Sequence, residues 1–461
     1  MPVNLYITYT PLTLSFSFSL CLLSNLRKDC TVTIDYKVGD LQEFQPLLLT
    51  TDTKNPEFVY PTNQTRTLRL PSGQSIYLAC PGKNNYLRDL GKLQETKATC
   101  VRDKIFSIGG VPRNFSSLTC SYLPRHDSRR TGPKCLGRYS TVEIGFQLNN
   151  TFLKTIEVCR DDKALHTFYT KCTITKAIDQ YQAAFYLNYK THFNAKIKSV
   201  PFAFVINKIH FLKVVTEFEL EKWFRTTTTI IAINTSRPAK WLTGDYYENI
   251  NVDAAYKFDN QLKTIAKLVN STEIAKTRLK KSVQFLSRGH MTAKADFVYG
   301  SQQRTTFWFV NAAPQWQSFN GGNWNSLEDS VRRFAASRRL DLEVYTGVHG
   351  QMTMADANGK QQPIHLHVDG QRRALGAPRF YWKIIYDPSS MRGTVFVGLN
   401  DPFIERISQD VFLCEDISHR IKWLTWQPKD IVLGVSYACT IDDFRRAVPA
   451  IPDLKVFDVL I

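Results

Sequence analysis

The chain has 461 residues, more than one ordinary domain needs, and length alone points to two or three domains. It is 43% hydrophobic and 22% charged, which excludes wholesale disorder. No apolar run reaches the roughly 20 residues of a transmembrane helix, so a multispan protein is excluded and no stable membrane association is expected. Lys and Arg total 59 against 41 Asp and Glu, a net charge of +18 that favours a polyanionic partner such as nucleic acid.

In chain order, residues 11–23 form an apolar stretch of signal-peptide length, with cleavage expected near Ser24. Cys21 would leave with it. Nine cysteines remain, none at C-x-x-C spacing, so disulfides are expected rather than a zinc site, with one thiol left over. Cys414 and Cys439 pair most simply with each other; the pairing of the seven between residues 30 and 172 is not legible. Five sequons, at Asn63, Asn114, Asn149, Asn234 and Asn270, agree with an extracellular chain carrying glycans on loops.

Residues 25–199 read as a small, cysteine-rich, disulfide-stapled β domain. Residues 32–34, 75–78 and 142–146 have β-branched and aromatic alternation, and turn signals separate such runs. From about residue 200 the cysteines stop and helical patterns begin. Phe258, Leu262, Ile265 and Val269 line one helix face; Trp324, Leu327, Val331, Phe334 and Ala335 line another. Residues 307–309 (Phe-Trp-Phe) read as a buried strand. Residues 340–346 alternate as a strand, and residues 380–386 and 394–397 flank a loop as a hairpin. The fold expected for residues 200–461 is α+β.

The chemistry concentrates between Arg278 and Arg339. Residues 276–295 hold six basic side chains and no acid, and contain Ser287-Arg288-Gly289-His290. Thirty residues after His290, Asn320-Gly321-Gly322-Asn323-Trp324 leads into the second helix, where Glu328 and Arg332 stand four apart on one face. An amide, a carboxylate, an imidazole and arginines suit metal-assisted phosphodiester hydrolysis. Mg²⁺ keeps several waters and accepts few protein oxygens, and a neutral imidazole can take a proton near neutral pH. His365 and His367 alternate on one strand but have no third ligand, so they are expected to be an exposed pair.

Ser287-Arg288-Gly289-His290, Asn311-Ala312-Ala313-Pro314-Gln315 and Asn320-x-x-x-Trp324-x-x-Leu327-Glu328 together resemble the DNA/RNA non-specific endonuclease family, the Serratia-nuclease-like enzymes with a ββα-metal motif. The cysteine-rich region and residues 423–428 resemble the secreted insect branch, which degrades double-stranded RNA in gut and saliva. The resemblance implies His290 as general base, Asn320 as direct Mg²⁺ ligand (Mn²⁺ being the second candidate ion), and Glu328 holding a water of the ion's shell. It implies Arg288 at the scissile phosphate, Asn311 in support, Arg332 and Lys294 on substrate phosphate, and Arg237 stabilising the transition state. Pro238 departs from the bacterial pattern beside Arg237. Bacterial members usually carry Asp where Ser287 stands, which bears on how Arg288 is held.

The expected activity is secreted, sugar-non-specific endonucleolytic hydrolysis of RNA and DNA, bound through the phosphate backbone and leaving 5′-phosphate ends. The rivals are an inactive nucleic-acid-binding protein of the same fold, an endonuclease-G-like mitochondrial enzyme, and a heparin-binding protein.

Overall fold

The computed structural model describes residues 28–35, 39–62, 65–180, 238 and 240–461. Arg237, the apolar N-terminal stretch and the sequons at Asn63 and Asn234 lie outside the described residues.

The first lobe is built from short strands. β1 (Cys30–Thr33) pairs antiparallel with β3 (Thr67–Leu70). β2 (Leu47–Leu49), β4 (Ser75–Ala79), β5 (Glu95–Arg102), β6 (Ile105–Ile108) and β7 (Val111–Asn114) make a five-stranded sheet in that order. Cys30–Cys100 and Cys80–Cys120 staple it.

β8 (Asp127–Cys135), β9 (Tyr139–Gln147), β10 (Phe152–Asp161) and β11 (His166–Ile174) follow as an antiparallel meander, with Cys135 bonded to Cys159. The meander continues into the strands beyond residue 340. β11 pairs with β14 (Leu342–His349), which pairs with β19 (Phe380–Asp387), then β20 (Arg392–Leu399) and β21 (Ser436–Cys439), completing an eight-stranded sheet. One sheet therefore runs across the domain border expected near residue 199. Strand pairing is decided by backbone hydrogen bonds between segments far apart in sequence, which composition does not report. Two small hairpins, β15 (Thr353–Ala355) with β16 (Gln361–Pro363) and β17 (His365–Asp369) with β18 (Arg372–Gly376), branch from it.

In the chain, the helices of residues 258–338 fall between β11 and β14. α1 (Phe258–Leu268) has Asp259 in its first turn and Lys267 in its last, both complementing the helix dipole, and buries Gln261, Ile265 and Leu268. α2 (Thr272–Arg278) starts at Ser271, whose hydroxyl accepts the Ile274 N–H at 3.1 Å. β12 (Leu286–His290) and β13 (Ala312–Trp316) form a two-stranded ribbon, and α3 (Asn325–Arg338) follows, giving the order strand, strand, helix. α3 buries the predicted stripe of Leu327, Val331, Phe334 and Ala335, with Trp324 just before it. α4 (Ile441–Ala447) closes the chain against β20. The fold is α+β, with the disulfide-rich β lobe leading.

Two details differ from the sequence expectations. The strand predicted at residue 340 starts at Leu342, after Arg339 ends α3 in a left-handed turn (φ 54°). Phe307, Trp308 and Phe309 are buried as expected, but as a single bridge followed by a 3₁₀ turn rather than a strand. The Cys414–Cys439 disulfide is present, and the leftover thiol is the buried Cys172.

Candidate active site

The ribbon β12–β13 carries the candidate histidine, and side chains rather than further strands satisfy its outer edges. Gln261, fully buried on α1, donates to the Leu286 carbonyl at 2.8 Å and accepts the Leu286 N–H at 3.0 Å, fixing where β12 begins. Pro314 in β13 has no N–H to donate. Its carbonyl accepts from buried Asn400 at 3.1 Å, while Asn400 Oδ1 accepts the Trp316 N–H at 2.8 Å. Tyr381 in β19 donates to the Ala313 carbonyl at 2.8 Å. Each buried backbone group so paired avoids a penalty of about 1–3 kcal/mol.

His290 is the last residue of β12, opposite Ala312. Period-two alternation puts it on the same face as Arg288. A Cβ at the intervening Gly289 would come within 2.4–2.7 Å of the Gln315 side chain and the Tyr381 hydroxyl, so only glycine fits. The half-buried imidazole packs against Trp241, with ring centroids 4.7 Å apart, and against the edge of Phe307 at 5.1 Å. Trp241 is placed by its neighbour: the Leu242 N–H donates to the Phe307 carbonyl, and the Phe309 N–H donates to the Leu242 carbonyl, both at 2.9 Å.

Asn311 is fully buried and spends its whole amide on backbone. It accepts the Thr292 N–H at 2.9 Å and donates to the carbonyls of Thr292 at 3.0 Å and Thr306 at 2.9 Å. It therefore locks the chain just past His290.

Asn320 opens a wide turn (Asn320–Trp324) that is kinked at Gly322 before α3. Gly322 lies against the Leu433 backbone, where a Cβ would meet it at 2.9–3.0 Å. Asn323 clamps the same C-terminal segment, donating to the carbonyls of Gln427 and Gly434 at 2.7 Å and accepting the Gln427 N–H at 2.8 Å. The turn thus presents Asn320 next to the ribbon: its Nδ2 donates to Ser287 Oγ at 3.2 Å, and Ser287 in turn donates to the Gln315 carbonyl at 2.8 Å. Sequence reading singled out Asn320 but missed Asn323. The tight spacing of the two glycines to the clamp was the available signal.

Two of the predicted cationic residues, Arg288 and Arg332, are held by carboxylates. Arg288 pairs with Asp253 at 2.8 Å and lies over the Tyr256 ring. With Ser at 287, the carboxylate partner comes from another segment. Arg332 pairs with the buried Asp296 at 3.0 Å. Lys294 is half-buried at the start of the short 3₁₀ turn Lys294–Asp296. Glu328, on the same helix as Arg332, is half-buried. Burial is the main force pushing its carboxyl up to about 7, with Asp296 adding to it and Lys383 and Arg332 opposing it.

Among the described residues, no group of three or more His, Cys, Asp or Glu side chains could hold an ion, His365 and His367 included. The site implied by the motif is of another kind. Asn320 Oδ1 accepts no hydrogen bond from the described residues, and at Glu328 burial outweighs the pull of Lys383 and Arg332. An amide oxygen and a half-buried carboxyl that a cation would help to ionise are donor types that fit a hydrated divalent ion.

Residues 225–444 match the DNA/RNA non-specific endonuclease family. That stretch is somewhat under half of the chain, and over it the chain is similar to that family. It is 31% identical over 211 residues to a salivary endonuclease of Lutzomyia longipalpis, covering 44% of this chain and 47% of that protein, so the match spans about half of the relative's length. It is 21% identical over 456 residues to the salivary protein Tsal2A of Glossina morsitans morsitans, covering 98% of each. Among solved structures, one chain of the EndoG/EndoGI complex matches at 16% identity with a TM-score of 0.29, covering 60% of this chain and 84% of that one.

Proposed function

We propose that the protein is a secreted, Mg²⁺-dependent, sugar-non-specific endonuclease that hydrolyses phosphodiester bonds of RNA, double-stranded RNA included, and of DNA. The observation that carries this reading is the hydrogen bond from Asn320 to Ser287, which ties the entrance of α3 to the strand ending in His290. The match of residues 225–444 to the DNA/RNA non-specific endonuclease family and the salivary naming of relatives support it.

In this reading His290 takes a proton from the attacking water. The aromatic walls of Trp241 and Phe307 keep its ring in one orientation. Asn320 Oδ1 and Glu328 would hold the cation. When bound, the cation counters charge on the phosphorane and leaving oxygen. Arg288, Arg332, Lys294 and Arg237 bring positive charge to the substrate phosphates, with Arg288 and Arg332 held in place by Asp253 and Asp296. Asn311 positions the turn after His290. The net charge of +18 supplies sequence-independent attraction that falls steeply with salt. Mn²⁺ would be a substitute ion. Four described disulfides and exposed sequons at Asn114, Asn149 and Asn270 support an extracellular setting.

One gel tests the proposal. Purified protein is incubated with double-stranded RNA, single-stranded RNA or plasmid, in Mg²⁺ or in EDTA. Cleavage of all three in Mg²⁺ and of none in EDTA is expected. Intact substrates in Mg²⁺, with binding retained, would favour the inactive nucleic-acid-binding protein instead.

A further inference from the structure

Behind the strap that carries Trp241 lies a cavity of about 520 Å³, within the range of small-ligand sites. It opens between the N-terminal lobe and the nuclease region and is lined by Arg125, His126, Asp127, Leu242, Arg304 and Trp308. Trp241 and Leu242 are adjacent on an extended segment: Trp241 packs on His290, while Leu242 lines the cavity. The cavity is therefore one strap's width from the candidate general base.

Its donors suit a phosphate. Arg125 makes no ion pair among the described residues, and its backbone is fixed by a bond to the Pro81 carbonyl at 2.9 Å. His126 Nδ1 accepts the Trp308 indole N–H at 3.0 Å, so the proton of the neutral ring sits on Nε2, a donor. Burial, then the charges of Arg304 and Arg125, push His126 down to about 4, so the ring is neutral at physiological pH and both guanidinium groups are close to it. Asp127 spends one oxygen on the neighbouring Ser128 N–H at 2.8 Å.

We propose that this cavity is an accessory site for the sugar–phosphate backbone of a nucleic-acid strand flanking the scissile bond, with Arg125, Arg304 and His126 Nε2–H as its donors. The inference rests on the nuclease reading and adds a role for the N-terminal lobe: it supplies Arg125 and His126 and extends the footprint beyond the reacting phosphate. A site of this kind reads no sequence and contributes through counterion release.

The test is made on binding, in a His290→Ala background that keeps substrate intact, with a 30-base-pair RNA duplex over a range of salt. Arg125→Glu is compared with Arg125→Lys and with Lys360→Glu, the same charge reversal on an exposed loop elsewhere. Arg125→Glu should weaken binding about tenfold more than Lys360→Glu and reduce the slope of log K against log salt by about one. Arg125→Lys should restore most of the loss. Equal effects of the two reversals would overturn the proposal. So would duplex binding untouched by Arg125→Glu while inorganic phosphate binding is lost, since the cavity would then serve free anions. Failure of the parent chain to cleave any substrate would sink the nuclease reading alone, because the Arg125 comparison is read without turnover.

Discussion

In the N-terminal lobe, strands of three to eight residues are tied together by Cys30–Cys100 and Cys80–Cys120. Between residues 160 and 413, where the ribbon β12–β13 and α3 lie, there is no disulfide, and the one cysteine is the buried Cys172. There the elements are held by buried amides: Gln261 on Leu286, Asn311 on Thr292 and Thr306, Asn400 on Pro314 and Trp316, and Asn323 on Gln427 and Gly434. A disulfide limits the unfolded chain and fixes a distance, whereas a buried amide that makes three hydrogen bonds also fixes direction. The lobe is therefore sensitive to redox conditions, and the candidate active site to the identity of a few amide side chains.

Replacing a buried amide should break this contrast most strongly. Asn311→Ala leaves one N–H and two carbonyls unpaired, and should destabilise the protein by about 3–6 kcal/mol in urea denaturation. A loss below 1 kcal/mol would show that the anchor is not needed. The double replacement Cys30→Ala with Cys100→Ala should cost about 4 kcal/mol, from a loop of 70 residues. It should also abolish part of the dependence of Tm on reductant. A Tm unchanged by it would shift the lobe's stability to its apolar core.

Acid should act mainly on the N-terminal half. His126 and His166 are both pushed down to about 4, chiefly by burial. Unfolding raises each to its ordinary value, so the unfolded chain binds more protons between about pH 6.5 and 4, and stability falls as pH drops through that window. His166→Phe should make the fall shallower, and an unchanged slope would contradict the assignment. The smallest effect is expected at Cys172, whose thiol burial pushes up to about 12. Iodoacetamide at pH 8 should leave it unmodified in the folded protein and label it fully in urea; labelling of the native protein would mean that the core around β11 opens.

Much of the candidate site was readable because its chemistry is local in sequence. Ser287 to His290 lie on one strand, and the stripe from Trp324 to Ala335 repeats at helical spacing, so the order of strand and helix followed. The partners of the cationic residues were not readable. Arg288 meets Asp253, 35 residues away, and Arg332 meets Asp296, 36 residues away, and neither pairing leaves a periodic trace. The same applies to the eight-stranded sheet, in which Cys172 of β11 lies opposite Val344 of β14. Trp241 belongs to no periodic pattern; its packing on His290 depends on the backbone bonds of Leu242 to Phe307 and Phe309.

The most direct test of the account is to measure cleavage and binding of one RNA duplex side by side for His290→Ala and Asn320→Ala across a Mg²⁺ titration. His290→Ala should lose at least about a hundredfold in cleavage at every Mg²⁺ concentration while duplex affinity stays within about twofold. Asn320→Ala should need more Mg²⁺ and recover only part of its activity. If His290→Ala loses binding as much as cleavage, or Asn320→Ala follows the parent Mg²⁺ curve, the pairing of an imidazole base with an amide-held cation is wrong.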